Sequence, residues 1–201
     1  EKGEAEHLAG ELLALNEERK ELTRQGVEKA FDMIENSSLK DDNVLVVYLP
    51  ECHESIVGII AGKIRERYNK PVIVFADGEG CLKGSGRSIE SYNMFEKLTQ
   101  CKELLAKFGG HPMAAGMSIE PDRLDELRRK LNGNCGLTQE DLTLKIWIDV
   151  PMPLEYISER VINDLSVLEP FGKGNEKPVF ADRGLRIRNL SHMGKEGQFT
   201  R

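Results

Sequence analysis

Apolar positions along the first sixth of the chain recur at helical spacing. Leu8, Leu12, Leu15 and Leu22 fall four, three and seven residues apart, and Val27, Ala30, Phe31 and Ile34 continue the stripe. Glu, Lys and Arg fill the other faces, which predicts one long helix over 4–36, ended by Asn36, Ser37 and Ser38. So thin a stripe on so long a helix calls for a partner surface. The pattern then changes. Val44–Leu49 is a β-branched run that predicts a buried strand, and 54–68 reads as a helix with Ile56, Ile60 and Ile64 on one face. Strands are predicted at 71–76 and 81–85. A helix is predicted over 91–108, with Met94, Leu98, Cys101 and Leu105 on one side. A strand at 115–119 and a helix at 121–131, with Pro121 in its first turn, follow. Leu142, Leu144, Ile146 and Ile148 alternate with other residues, as a half-buried strand does.

This order predicts an α/β fold: a mixed sheet with helices on its faces, preceded by a long N-terminal linker helix. The order of the strands is not readable from the pattern. Pro151 and Pro153 interrupt it, a helix is predicted over 154–167, and short strands are predicted at 178–181 and 185–190. Three segments result: 1–38, the linker helix; 39–150, the α/β domain; and 151–201, a helix, a connector and the expected start of a truncated β domain.

Composition narrows the function classes. The 201 residues are 39% hydrophobic and include 19 glycines, an ordinary globular balance. No apolar run approaches bilayer length, so no membrane partner is expected, and the charged first residues are unlike a signal peptide. The formal net charge is -6, so any grip on phosphate must be local. Cys52, Cys81, Cys101 and Cys135 form no Cys-x-x-Cys pair, which argues against a zinc ribbon or a secreted disulfide scaffold and for the cytoplasm. There is no Walker loop, no zincin motif and no nucleophile elbow, and the four histidines are scattered.

Four constellations remain. Lys83-Gly84-Ser85-Gly86-Arg87-Ser88 has the glycines, hydroxyls and guanidinium of a phosphate cradle. It fits a hairpin turn with a solvated arginine equally well, and spacing alone favours the turn. Phe108-Gly109-Gly110-His111-Pro112-Met113-Ala114-Ala115-Gly116 places a histidine among small residues that allow close backbone approach, or else is a packed crossover with a structural histidine. Pro170 to Pro178 reads as a rigid connector, with a nucleic-acid contact through Phe171 and Lys173 as the competing reading. His53, before a helix, can face an anion or serve as a capping or core residue, and the capping or core role is favoured.

Gly109-Gly110-His111 with Ala114-Ala115-Gly116 resembles the signature of the DHH-associated domain of DHH-superfamily phosphoesterases. His53 to Ala61, the loop Gly84 to Ser88, and Leu15-Asn16-Glu17-Glu18-Arg19 are similar to further segments of that family. Leu168-Glu169-Pro170-Phe171-Gly172, with Gly174, Asn175 and Pro178, resembles a segment of the RecJ single-strand-specific exonucleases. The resemblance implies a metal-dependent exonuclease that degrades single-stranded DNA from its 5′ end, in DNA repair and recombination. It also implies an OB-like domain after residue 150. The catalytic Asp-His-His domain, with manganese or magnesium, is expected in cis and outside this chain. The chain alone is therefore expected to bind no metal and to be inactive. The resemblance implies that Ser85 and Arg87, with Lys83, Gly86 and Ser88, grip a phosphate. It implies that His111, with Gly109 and Gly110, orients the scissile phosphate. His53 and Asn175 are further candidates. Two competing readings are a phosphodiesterase for short RNAs or cyclic dinucleotides, and a non-catalytic nucleic-acid-binding module.

Overall fold

A computed structural model describes residues 2–193 and 199–200. The chain divides into two units, Glu1–Leu144 and Lys145–Arg201.

The first unit opens with helix α1 (Lys2–Glu35), whose 34 residues extend about 51 Å. Ion pairs at helical spacing line it, among them Arg24 with both Glu21 and Glu28. Only its last third is buried, at Gly26, Ala30 and Ile34, while Leu8, Leu12 and Leu15 stay exposed. A side chain at Gly26 would strike Ile60 at 2.6 Å, so glycine lets α1 lie against α2 (Val57–Tyr68). A 3₁₀ turn leads into β1 (Leu45–Tyr48). Beyond α2 come β2 (Val72–Asp77), β3 (Leu82–Arg87), α3 (Met94–Thr99), β4 (Leu105–His111), β5 (Ala114–Ile119), α4 (Leu124–Gly133) and α5 (Gln139–Leu142).

The sheet has the order β1-β2-β3-β5-β4. β1 and β2 are parallel and joined by α2, and every other pairing is antiparallel. Strand alternation sends side chains into two separate cores. Val46, Ile73, Phe75, Leu82, Ala115, Met117 and Ile119 meet α3 and α4 on one face. Leu45, Val47, Val72, Val74 and Ala76 meet α1 and α2 on the other. At the β1 edge, the side-chain amide of Asn132 donates to the Val44 carbonyl and accepts the Val44 N–H, each at 2.9 Å.

Three expectations are corrected in this unit. The helix predicted over 91–108 stops at Thr99, and Leu105–His111 is strand β4. The register shift between Leu105 and Lys107 breaks strict alternation, so the segment does not look like a strand. Lys83 to Ser88 is no hairpin turn, because β3 is a central strand paired on both sides. The alternating stretch Leu142–Ile148 pairs with no strand, and Leu144 and Ile146 are 65% and 70% exposed.

The second unit holds a parallel pair, β6 (Val150–Pro151) with β7 (Phe180–Ala181), and α6 (Glu159–Leu165). It also holds an antiparallel pair, β8 (His192–Met193) with β9 (Phe199–Thr200). The helix predicted over 154–167 is divided at Ser158, whose hydroxyl caps α6 by accepting the Val161 N–H. The strand predicted at 185–190 is not formed.

Candidate nucleic-acid interface

On the face that carries α1 and α2, α2 reaches as far as β3 and leaves the glycine positions of β5 and β4 open. The strand register sets nine residues in three rows across β3, β5 and β4. Lys83, Ser118 and Lys107 form one row, Ser85, Gly116 and Gly109 the next, and Arg87, Ala114 and His111 the third. Rows lie about 6.7 Å apart, and the outer strands lie roughly 9.6 Å apart. A Cβ added at Gly109 or Gly116 meets nothing within 4 Å. The result is a trough with a floor of small residues and rims bearing Lys83, Arg87, Lys107 and His111. None of the nine positions is acidic, in a chain whose net charge is -6. The positive field is therefore local.

Arg87 is held from two sides. Its Nη1 donates to Ser85 Oγ at 2.9 Å and to the Gly86 carbonyl at 2.8 Å. Its Nη2 lies over the first turn of α2, 2.8 Å from where a Cβ on Gly58 would be. No carboxylate pairs with Arg87 among the described residues. A guanidinium at the positive end of a helix dipole is disfavoured until an anion joins it. An anion placed there would face both the guanidinium and the α2 N-terminus. At the opposite rim His111 is exposed, and its Nδ1 accepts the Met113 N–H at 3.3 Å. In the neutral ring the proton is therefore on Nε2, which is left free to donate.

The hairpin that joins the His111 rim to the floor strand β5 depends on Gly110. Its φ is +151°, and a Cβ there would lie 2.3 Å from the Ala114 carbonyl oxygen. Gly110 is thus required by the backbone, whereas Gly109 keeps the trough open.

Several other candidates have structural work. Gly84 and Gly86 do not offer their backbone to a ligand. They face the opposite core, where Cβ atoms would strike Phe75 at 2.4 Å and Met94 at 3.2 Å. Ser88 is 1% exposed and donates its hydroxyl to the Tyr92 carbonyl at 2.6 Å, so it cannot reach a substrate. His53 closes the turn before α2 and does not cap the helix, whose N-terminus has no side-chain cap: its Nδ1 lies 2.7 Å from Ser55 Oγ and accepts the Ser55 N–H. Asn175 lies in the second unit and donates its amide to the Leu168 and Pro170 carbonyls. Lys83 reaches Ser118 Oγ at 3.3 Å, which keeps it on the trough. The sequence reading passes over Gly58, Lys107 and Ser118. A strand pattern at 105–111 would reveal Lys107, but the helical reading of 91–108 hides it.

A second concavity, of about 560 Å³, lies between α1 and the β1–α2 loop, with Leu22, Met33, Leu49, Pro50 and Ile56 on its walls. Its apolar lining does not suit a phosphate. Among the described residues, no three His, Cys, Asp or Glu side chains converge to hold a metal ion. No helix there is long and apolar enough to cross a membrane.

Residues 41–136, which include the whole trough, match the DHHA1 domain, and residues 148–201 match the RecJ OB domain. The chain carries the DHHA1 and OB domains of the RecJ family. The single-stranded-DNA-specific exonuclease RecJ of Escherichia coli (strain K12) is 46% identical over 190 residues, which is 89% of this chain and 33% of that protein. RecJ of Bacillus subtilis (strain 168) is 38% identical over 179 residues, covering 87% of this chain and 23% of that one. The crystal structure of RecJ in complex with Mn2+ from Thermus thermophilus superposes with a TM-score of 0.83. It is 27% identical in sequence, and the match covers 97% of this chain and 28% of that one. The chain thus spans about a quarter to a third of the length of these RecJ relatives. The Mg2+ and Mn2+ named for the Thermus structures find no ligand set among the residues described here.

Proposed function

We propose that this chain is the substrate-gripping part of a RecJ-like exonuclease that degrades single-stranded DNA in the 5′-to-3′ direction, in DNA repair and recombination. The trough carries the reading: it is an open, acid-free channel with a glycine floor, bordered by Arg87 on one rim and His111 on the other. Arg87 and Ser85 grip the 5′-terminal phosphate. Nε2–H of His111 donates to the scissile phosphate, beside the open backbone of Gly109. A channel roughly 9.6 Å between its outer strands admits one strand and excludes a duplex, whose major groove alone is ~12 Å wide. Hydrolysis itself belongs to a divalent-metal Asp-His-His domain in cis, beyond this chain, in the cytoplasm. The OB match at 148–201 favours a strand over a cyclic dinucleotide.

The test is binding of a 5′-phosphorylated single-stranded DNA oligonucleotide at low salt, for the wild type and Arg87→Ala. A 5′-hydroxyl oligonucleotide and a matching RNA serve as controls. Loss of a charge-assisted hydrogen bond of about 1.5–3 kcal/mol predicts a fall in affinity of roughly 10- to 100-fold. Binding indifferent both to the 5′ phosphate and to Arg87 overturns the reading.

A further inference from the structure

The row farthest from Arg87 has no part in gripping a terminal phosphate or orienting the next one, yet it carries two lysines. Lys107 lies on β4, two positions from Gly109 and four from His111, on the trough side. Its cross-strand partner is Ser118, 7% exposed, whose hydroxyl accepts a hydrogen bond from the Lys83 ammonium. Neither lysine has a carboxylate partner among the described residues. Beyond Lys83 the surface changes sign, for Glu54, Asp77 and Glu79 line the depression on its far side. The positive stretch of the trough therefore ends at this row.

The two-residue step along a strand is about 6.7 Å, close to the spacing of successive phosphates in an extended single strand. Register alone thus carries a strand from His111, past the open Gly109, to Lys107. We propose that Lys107, with Lys83 and Ser118, forms a downstream phosphate subsite, which holds the strand beyond the bond to be cut. This rests on the reading of the trough as a single-strand site and adds a footprint to it. A 5′-phosphorylated substrate of one or two nucleotides engages only the Arg87 and His111 row, a third phosphate lies over Gly109, and a fourth reaches the lysines.

The experiment measures binding of 5′-phosphorylated oligothymidylates of one, two, three and four nucleotides to the wild type, Lys107→Ala, Lys107→Arg and the double variant Lys83→Ala/Lys107→Ala. Thermal melting confirms that each variant is folded. For the wild type, affinity is expected to rise roughly tenfold between three and four nucleotides, the scale of one charge-assisted contact. Lys107→Ala removes most of that rise and leaves the dinucleotide unaffected, and Lys107→Arg keeps it. The double variant also flattens the salt dependence of the tetranucleotide by about 0.7 per lost phosphate contact. A rise that survives in the double variant, or a loss equal at every length, overturns the subsite. Dinucleotide binding that needs Arg87 but gains nothing with length overturns the subsite alone. No binding at any length overturns the trough reading together with it.

Discussion

One face of a single sheet is built in two ways. On β1 and β2 it carries Leu45, Val47, Val72, Val74 and Ala76, and α1 and α2 cover it. On β3, β5 and β4 the same face carries lysine, arginine, histidine, serine, alanine and glycine, and nothing covers the Gly109 and Gly116 positions. The reverse side is apolar under both halves. Packing on that reverse side holds the uncovered strands in place, so the open half need contribute nothing to its own burial. A rigid, solvent-facing polar surface is thereby available for a ligand.

Substitutions that work on only one half separate the two roles. Ile60 is fully buried beneath the covered half. Ile60→Ala should cost about 2–5 kcal/mol of stability in a denaturant titration. Oligonucleotide affinity of the folded fraction should not change. A loss of affinity at unchanged stability would break the division.

Gly110→Ala tests the hairpin that joins the His111 rim to β5. Its φ and the clash with the Ala114 carbonyl predict a loss of at least ~1–3 kcal/mol, and here stability and binding fall together. Gly116→Val should separate them. The new methyls point into open space on a central strand, so the melting temperature should hold or rise. Affinity for a single strand should fall about tenfold as the floor is raised. Unchanged affinity in Gly116→Val would mean that the strand does not lie over β5.

The smallest effect belongs to the rim of the covered half. Lys29 pairs with Glu51, and their hydrogen bond holds the Glu51 carboxyl below its ordinary range. The fold gains from this pair above the ordinary carboxylate pKa. It loses that gain as the pH falls through the lowered value. Lys29→Met should therefore slightly reduce stability near neutrality and leave it unchanged in strong acid, as followed by melting across pH. Both groups are exposed, which keeps the difference small.

The covered half was legible in the sequence, because burial on both faces of β1 and β2 writes continuous apolar runs such as Val44–Leu49. The open half was harder to read. In β3 the buried face is Leu82, Gly84 and Gly86, and a glycine beneath Phe75 or Met94 leaves no hydrophobic mark, because the neighbour fills its space. In β4 the bulge near Lys107 shifts the alternation, and Leu98, Cys101 and Leu105 continue a helical spacing past the end of α3. Arg87, Ser85 and His111 could be picked out by chemistry and by family resemblance. That Arg87 and His111 share a row, and that Lys107 belongs with them, follows only from the order of the strands. Ser88 shows the reverse case, a hydroxyl in a promising motif that the fold has turned inward to Tyr92.

The bracket that Asn132 places on Val44 has a consequence for how copies of this chain behave together. By offering one donor and one acceptor at 2.9 Å, the side chain imitates the backbone of a sixth strand at the start of β1. An incoming strand from another molecule finds that point already occupied. A sheet that ends in free N–H and C=O groups invites growth into fibrils. Here a single amide on α4 blocks the first link of such growth at the β1 edge.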